Sequence, residues 1–290
     1  MAKKKHVVEK ALSFSGPLPY VPKGELFIER SFLNETFPCS CSYLDKLRDA
    51  LSILELDMVG IPFSDKEIIK KRNLKKLEDV FLVCNFEGPF SFWMGRLGFI
   101  EVLKALRKDR RIIFELTEKF LRGFRKRLPI YKDLGFSGIA IVDDIAGNDG
   151  VFFSKNDFEI LLKPVYSELV EDVKAHGLFI FFHSDGNLEG YIDEFVNMGF
   201  DCLHTLDAGA GMDVYKIMAS IKKRVCFMGH IDLLKWDEET VEREIKRAKE
   251  IFLDGGMIIG SISGLFGSLL KEKILVLYPG LKERIKGRTI

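Results

Sequence analysis

The sequence predicts an α/β chain of the (β/α)8, or TIM-barrel, class. Three observations carry that prediction. Short apolar runs alternate with amphipathic segments along the chain. Several runs, such as "FLVC" (81–84) and "IFFHS" (180–184), are apolar at consecutive positions, as parallel strands covered on both faces require. Polar residues able to do chemistry gather at the ends of the runs and hardly at their starts, which is where barrels of this class keep their active sites.

The chain has 290 residues, 47% of them hydrophobic and 30% charged, enough for a sizeable core. One domain over 1–290 is expected, with 1–50 as an amino-terminal extension and first barrel unit. An open doubly wound sheet is the rival, weakened by the lack of a GxGxxG loop after an early strand. A net charge of +1 argues for neither nucleic acid nor an acidic membrane as partner. The basic runs, among them "KKRNLKK" (70–76) and "RKDRR" (107–111), are mostly interleaved with acids and read as solvated helix faces. No apolar run approaches the roughly 18 residues of a membrane span, and the opening "MAKKKHVVEKALSFSG" lacks the apolar segment of a signal peptide. Five cysteines without a paired CxxC framework suit a reducing compartment, so a cytoplasmic protein is expected.

The strands follow in order. "ELFIE" (25–29) is the first, after the loop "SGPLPYVPKG". "LELDMVGIPF" (54–63) and "DVFLVCNFEGPF" (79–90) are the second and third. "GIAIVDD" (138–144), "GLFIFFHSD" (177–185), "DCLHTLD" (201–207), "RVCFMGHID" (224–232) and "GMIIGSISG" (256–264) complete the eight. Between them lie helices. The segment 91–109 carries apolar residues at helical spacing. The segment 154–177 opens on a Ser-x-x-Asp cap and ends in glycine, with Pro164 expected to bend or break it. A short helix over 187–199 closes at Gly199, and 237–256 has acids in its first turn and bases later, complementing the helix dipole.

The strand ends supply the candidate site. The third ends at Cys84, Asn85 and Glu87, the fourth at Asp143 and Asp144, the fifth at His183, Ser184 and Asp185. The sixth carries His204 and ends at Asp207, the seventh ends at His230 and Asp232, and the eighth at Ser261 and Ser263. His183 and Asp185 stand two apart on a strand, so both face one side while Ser184 faces the other. Gly186 permits a tight turn and Asn187 caps the helix after it. His183, Asp185, Asp144 and Glu87 are the expected catalytic groups, and Asn187, Asp207, His230 and Ser263 the expected substrate-binding groups. A borderline cation such as Zn2+ takes nitrogen and carboxylate ligands and keeps a position open in catalytic sites, and His183, Asp185 and His204 provide three. General acid–base work on an organic substrate is the other use of the same groups. Each residue also has a plainer role: strand-end histidines pack, Asp143–Asp144 caps its loop, Asp185 accepts turn amides, Asp232 caps a turn, and Glu87 pairs with Arg96.

The order of these motifs resembles the uroporphyrinogen decarboxylase superfamily over roughly residues 54–285. "HSDGN" (183–187) is similar to the family's H-x-C-G-N strand end in its methyltransferase branch. "GHIDLL", followed by "ETVEREIKRAKEIFLDGGMIIGS", resembles the family's GNIDP turn, amphipathic helix and last strand. "DDIAGNDGVFFSKNDFEILLKP" and "NFEGPFSFWMGRLG" resemble two further segments. The resemblance implies a TIM barrel and two activities. One is metal-free porphyrinogen decarboxylation, relying on an amino-terminal arginine pair and an aspartate. The other is zinc-dependent methyl transfer between a small methylated substrate and a corrinoid carried by a partner protein. The chain departs from both. Its amino-terminal region reads "GPLPYVPKGELF", without arginine, and "GSISG" replaces the decarboxylase's late histidine. Asp185 stands where the methyltransferases place their first cysteine, and Ser261 and Ser263 offer no thiolate. The leading expectation is a corrinoid-dependent methyltransferase with an open barrel mouth; a decarboxylase, or an accessory protein that keeps the barrel without turnover, are the alternatives.

Overall fold

The computed structural model describes residues 3–39, 41–204, 206–221, 223–267 and 271–282. Eight strands, β1 (Gly24–Glu25), β2 (Met58–Pro62), β3 (Phe81–Glu87), β4 (Gly138–Val142), β5 (Phe179–His183), β6 (Cys202–His204), β7 (Cys226–Ile231) and β8 (Met257–Ser261), form one sheet in chain order. This is the (β/α)8 class. The chain falls into two compact units, 1–83 with 226–290, and 84–225.

In the first unit β1 pairs parallel with β2, and β7 with β8 from Met257↔Phe227 to Ser261↔Ile231. Parallel bridges Lys23↔Ile259 and Ile28↔Leu265 bring the first strand against the last. That approach needs a glycine: a Cβ on Gly260 would collide with the Gly24 carbonyl oxygen. A buried polar knot secures the same junction. Glu25 Oε1 accepts from the Ser261 amide at 3.0 Å and from the Tyr278 hydroxyl, and Oε2 accepts from Ser261 Oγ at 2.7 Å. Burial pushes the Glu25 carboxyl up to about 7 despite these donors. Asp57 is also buried, accepting from the Lys23 amide at 2.9 Å and the Tyr20 hydroxyl at 2.8 Å.

In the second unit β4 pairs with β5 from Gly138↔Phe179 to Val142↔His183, and β5 with β6 from Phe181↔Cys202 to His183↔His204. A two-stranded hairpin, Ala146–Gly147 with Gly150–Val151, follows β4. Behind β5 the core is aromatic. Phe182 stacks on Phe195 at 4.1 Å between ring centres and meets Tyr166 and Phe200 at 5.3 and 5.5 Å. Each such ring, fully buried, contributes on the order of 2–3 kcal/mol of transfer free energy.

The helices differ in detail from expectation. The segment 91–109 is two helices, Pro89–Leu97 and Phe99–Lys108, because Gly98 at φ +86° interrupts the turn. Ser154 caps as expected, its Oγ accepting from the Asp157 amide at 3.1 Å. A π-helical turn, Phe158–Leu162, then precedes the helix Lys163–Ala175, with Pro164 in its first turn, where its missing N–H costs least. Cys39 and Cys41 are joined as a disulfide, which the cysteine spacing and the expected reducing compartment do not call for, while Cys84, Cys202 and Cys226 are buried and outside any disulfide. Among the described residues no helix is long and apolar enough to cross a membrane.

Candidate active site and metal centre

All of the core site residues belong to the second unit. The strand register sets their heights: Val142 pairs with His183 and His183 with His204, so β4, β5 and β6 end level. The Asp143 amide donates to the His183 carbonyl at 2.8 Å and the Ser184 amide to the His204 carbonyl at 3.0 Å, carrying the ladder one residue further. The polar ends of three strands therefore adjoin, as their positions in the sequence predict.

Asp143 and Asp144 part company at this edge. Asp143 turns inward and is fully buried. It accepts from the amides of Phe90 and Ser91, at 3.0 and 2.6 Å, and from the Tyr166 hydroxyl at 2.7 Å. It thus caps the helix Pro89–Leu97 from outside its own chain segment. Burial raises its carboxyl to about 6. Asp144 turns outward: its side chain is 53% exposed, and Oδ1 lies 3.6 Å from His183 Nε2 and accepts the Asp185 amide at 3.1 Å.

His183 is held from behind. Its Nδ1 lies 2.7 Å from His204 Nδ1, and both rings are buried. On the other side of the ring, Nε2 of His183 lies 3.6 Å from Asp144 Oδ1. Burial lowers the His183 pKa, an effect that outweighs the raising influence of Asp144 and Asp185, so the neutral ring is favoured. Ligand atoms of Asp144, His183 and Asp185 all lie within 4.8 Å of one another. Ligands about 2.1 Å from a tetrahedral zinc stand roughly 3.4 Å apart, so a small closure would seat an ion. A neutral imidazole with its far nitrogen hydrogen-bonded, facing two carboxylates, is a donor set that fits zinc. His204, expected as the third ligand, stands outside that group: from the paired position on β6 its Nδ1 meets His183 Nδ1.

The turn after β5 is built to hold this arrangement. Gly186 sits at φ +84°, and a Cβ there would come within 2.7 Å of the Ala146 and Gly147 backbone. Ser184 Oγ faces the other way from the aspartates' site, accepting the Ile145 amide at 3.1 Å and donating to the Asp185 carbonyl at 2.8 Å.

The remaining expected groups are engaged elsewhere. Asn187, expected to bind substrate, instead caps its turn: its Oδ1 accepts the Glu189 amide at 2.9 Å and its Nδ2 donates to the Ala210 carbonyl at 3.0 Å. Asp207 accepts the Gly209 amide at 2.7 Å, again a turn bond. Glu87, expected to be catalytic, lies 3.9 Å from Arg96 Nη1, in its plainer role. In the first unit, His230 faces the helix Glu238–Ile251, with Nε2 3.9 Å from Glu244 and its ring against Trp236. Gly229 and His230 both have positive φ, and this breaks the strand alternation that would otherwise set the direction of the ring. Asp232 accepts the amides of Leu234 and Lys235, at 3.0 and 2.9 Å, which is the turn cap. Ser263 Oγ is buried without a hydrogen-bond partner among the described residues. Two structural features have no local sequence signal: the Asp143–Tyr166 bond and the Glu25–Ser261–Tyr278 knot each join residues far apart in the chain.

Known proteins resemble the chain in fold and in family. The family model described as uroporphyrinogen decarboxylase (URO-D) matches residues 66–274. No curated protein sequence matches the chain. Among solved structures, a methyltransferase from Methanosarcina mazei is similar, with a TM-score of 0.74 and 16% identity, covering 98% of this chain and 99% of that one. An L-ribulose 3-epimerase has a TM-score of 0.53 and 13% identity, covering 92% and 96%. A D-allulose 3-epimerase from Methylomonas sp. has a TM-score of 0.51 and 14% identity, covering 93% and 99%. At these identities the likeness shows a shared barrel fold. The family match is of another kind, since it spans well over half of the chain, in the order the motifs run, and takes in the Asp144, His183 and Asp185 strand ends. This chain belongs to the uroporphyrinogen decarboxylase family.

Proposed function

We propose that the chain is a methyltransferase that moves a methyl group between a small methylated substrate and a corrinoid carried by a partner protein, in the cytoplasm and within a single barrel domain. The observation that supports this most is the meeting of Asp144, His183 and Asp185 at the strand end that resembles the zinc turn of the methyltransferase branch. The likeness to the Methanosarcina mazei methyltransferase points the same way.

His183 would bind through Nε2 while His204 meets its Nδ1 and holds the ring; Nε2 is free to bind in the tautomer in which His183 Nδ1 carries the proton of that contact. Asp144 and Asp185 supply charge: two carboxylates a few ångströms apart repel by about 1 kcal/mol or more even in water, and a divalent cation removes that cost. Zinc bound there supplies Lewis acidity to the substrate heteroatom that carries or receives the methyl group, more of it than a site with two thiolates would. Asp144 is half exposed, so a substrate would reach the group from solvent. Asp143 takes no part in the chemistry; it keeps the β4 end in place through the helix it caps.

The test is methylcobalamin formation from cob(I)alamin by zinc-loaded protein, with methoxy-aryl, methylamine and methyl-thiol donors in turn. Transfer from one class, lost in Asp185→Asn, is expected. No transfer from any class would overturn the reading. Incubation with uroporphyrinogen tests decarboxylation in parallel, and no loss of carboxyl groups is expected. The cation nearest the amino-terminal position of the missing arginines, Lys23, is already paired with Glu55 at 2.9 Å.

A further inference from the structure

The run "RKDRR" does not simply face solvent. With the helix Phe99–Lys108 and the segment after the hairpin it lines a groove of about 1060 Å3. Its lining includes the apolar Ile100, Leu103, Phe152 and Phe153, and part of it is left uncovered: Ile100 is 59% and Phe152 38% exposed, and Phe99, in edge contact with Phe152 at 5.2 Å, is 39% exposed. Lys104, Arg107, Lys108 and Arg110 stand around it with Asp109 and Asp157. Both aspartates are already engaged, Asp157 by Arg110 and Ser154, and Asp109 by Arg111 at 2.6 Å. Lys104 pairs with Glu101 at 2.7 Å. Among the described residues Arg107 and Lys108 have no ion-pair partner.

The groove is also tied to the candidate site. The Phe152 amide donates to the Ile145 carbonyl at 3.0 Å, and the Ile145 amide donates in turn to Ser184 Oγ at 3.1 Å. The Asn187 amide donates to the Gly147 carbonyl at 2.9 Å. The segment that helps line the groove is therefore bonded to the turn that carries Asp185.

We infer that this groove docks the corrinoid-bearing partner protein, through an acidic edge on that partner surrounding an apolar tip. The inference rests on the methyl-transfer reading for the identity of the partner. Charge selects an acidic surface, since the spare groups are cations. The uncovered apolar edge selects a protein contact, as such patches mark interaction sites. A second copy is disfavoured, because it would have to answer these cations with the same patch's acids, and Glu101, Asp109 and Asp157 are already engaged. A bilayer is disfavoured because a concave groove receives a protrusion and not a flat sheet.

The test uses the full chain and the double variant R107E/K108E, with Ile100→Asp as a second variant; all three positions are exposed and none belongs to the candidate site. The probe is a purified corrinoid protein from the same genome, and its Kd is measured at about 50 and about 300 mM salt. Tighter wild-type binding at low salt, with each variant about tenfold weaker or more, and unchanged transfer to free cob(I)alamin, is the expected result. No binding by the wild type, or equal Kd values for wild type and variants, overturns the docking inference even where transfer to free cob(I)alamin succeeds. Variant-sensitive binding without any transfer to free cob(I)alamin upholds the docking and overturns the methyl-transfer reading. Binding of phosphatidylglycerol vesicles that depends on Arg107 and Lys108, in place of protein binding, overturns it in favour of a membrane.

Discussion

His183 and His204 face each other Nδ1 to Nδ1 at 2.7 Å from paired positions on neighbouring strands. One proton serves that contact, so the two rings are opposite tautomers, and the ring that presents Nε2 to the aspartates has its Nδ1 occupied. This makes His204 a positioning residue. His204→Ala should leave the fold intact and weaken zinc binding about 10- to 100-fold, whereas His183→Ala should abolish stoichiometric binding. Competition with a chromophoric chelator measures both. Since burial lowers the His183 pKa from 6.5, the ring stays neutral through that pH, and wild-type zinc affinity should hold steady down to about pH 6.5 and fall only below it. A fall beginning well above that pH would contradict the buried, neutral ring.

The adjacent aspartates should give opposite phenotypes. Asp143→Ala strips three donors, two of them buried, of their acceptor and should cost about 3–5 kcal/mol in urea unfolding, with Asp143→Asn milder. Asp144→Asn should change stability by less than about 1 kcal/mol and remove most zinc affinity. Equal stability losses in the two positions would show that Asp144 is structural too.

Gly186→Ala should be costly out of proportion to one methyl group. The residue has φ +84°, and its new Cβ would lie 2.7 Å from backbone atoms that cannot swing away. A loss of roughly 2 kcal/mol or more, together with weakened zinc binding as the turn shifts, is expected. Thermal melts with and without zinc read both effects.

Glu25 sets a pH dependence of stability. Its folded pKa, about 7, lies above the ordinary 4.5, so between these values the folded state holds a proton that the unfolded state has lost. Its contribution is greatest below about pH 4.5 and falls as pH rises through about 7. Glu25→Gln keeps an acceptor for Ser261 and Tyr278 without the titration. The Tm of the variant relative to wild type should therefore climb from pH 5 to pH 8, corresponding to an effect on the order of 3 kcal/mol. A Tm difference that does not change with pH would show that Glu25 does not titrate in this range.

Much of the fold is legible in the sequence because burial on both faces leaves unbroken apolar runs, as in Phe179–His183, and because caps such as Ser154 and Asp237 act within four residues. The strand-end rule likewise brings His183, Asp185 and Asp144 forward from the residues alone. Neighbours and directions are what it does not separate. Nothing local distinguishes Asp143 from Asp144; the difference is set by Tyr166 and by the helix opening at Pro89, both far along the chain. His204 reads as a ligand in the sequence because strand position gives height but not which ring stands in front. His230 is turned away from its expected direction by a positive φ that only the fold reveals. Gly98 falls inside an apparent helix because an isolated glycine does not say by itself whether it will bend a helix or end it.

The most direct measurement is an anomalous difference map from a crystal soaked in zinc, collected at the zinc edge. One strong peak is predicted within ligand distance, about 2.0–2.2 Å, of His183 Nε2 and of carboxylate oxygens of Asp144 and Asp185, with His204 still hydrogen-bonded behind His183. A map without a peak at that position, or with the ion on His204 and neither aspartate, would contradict the zinc site.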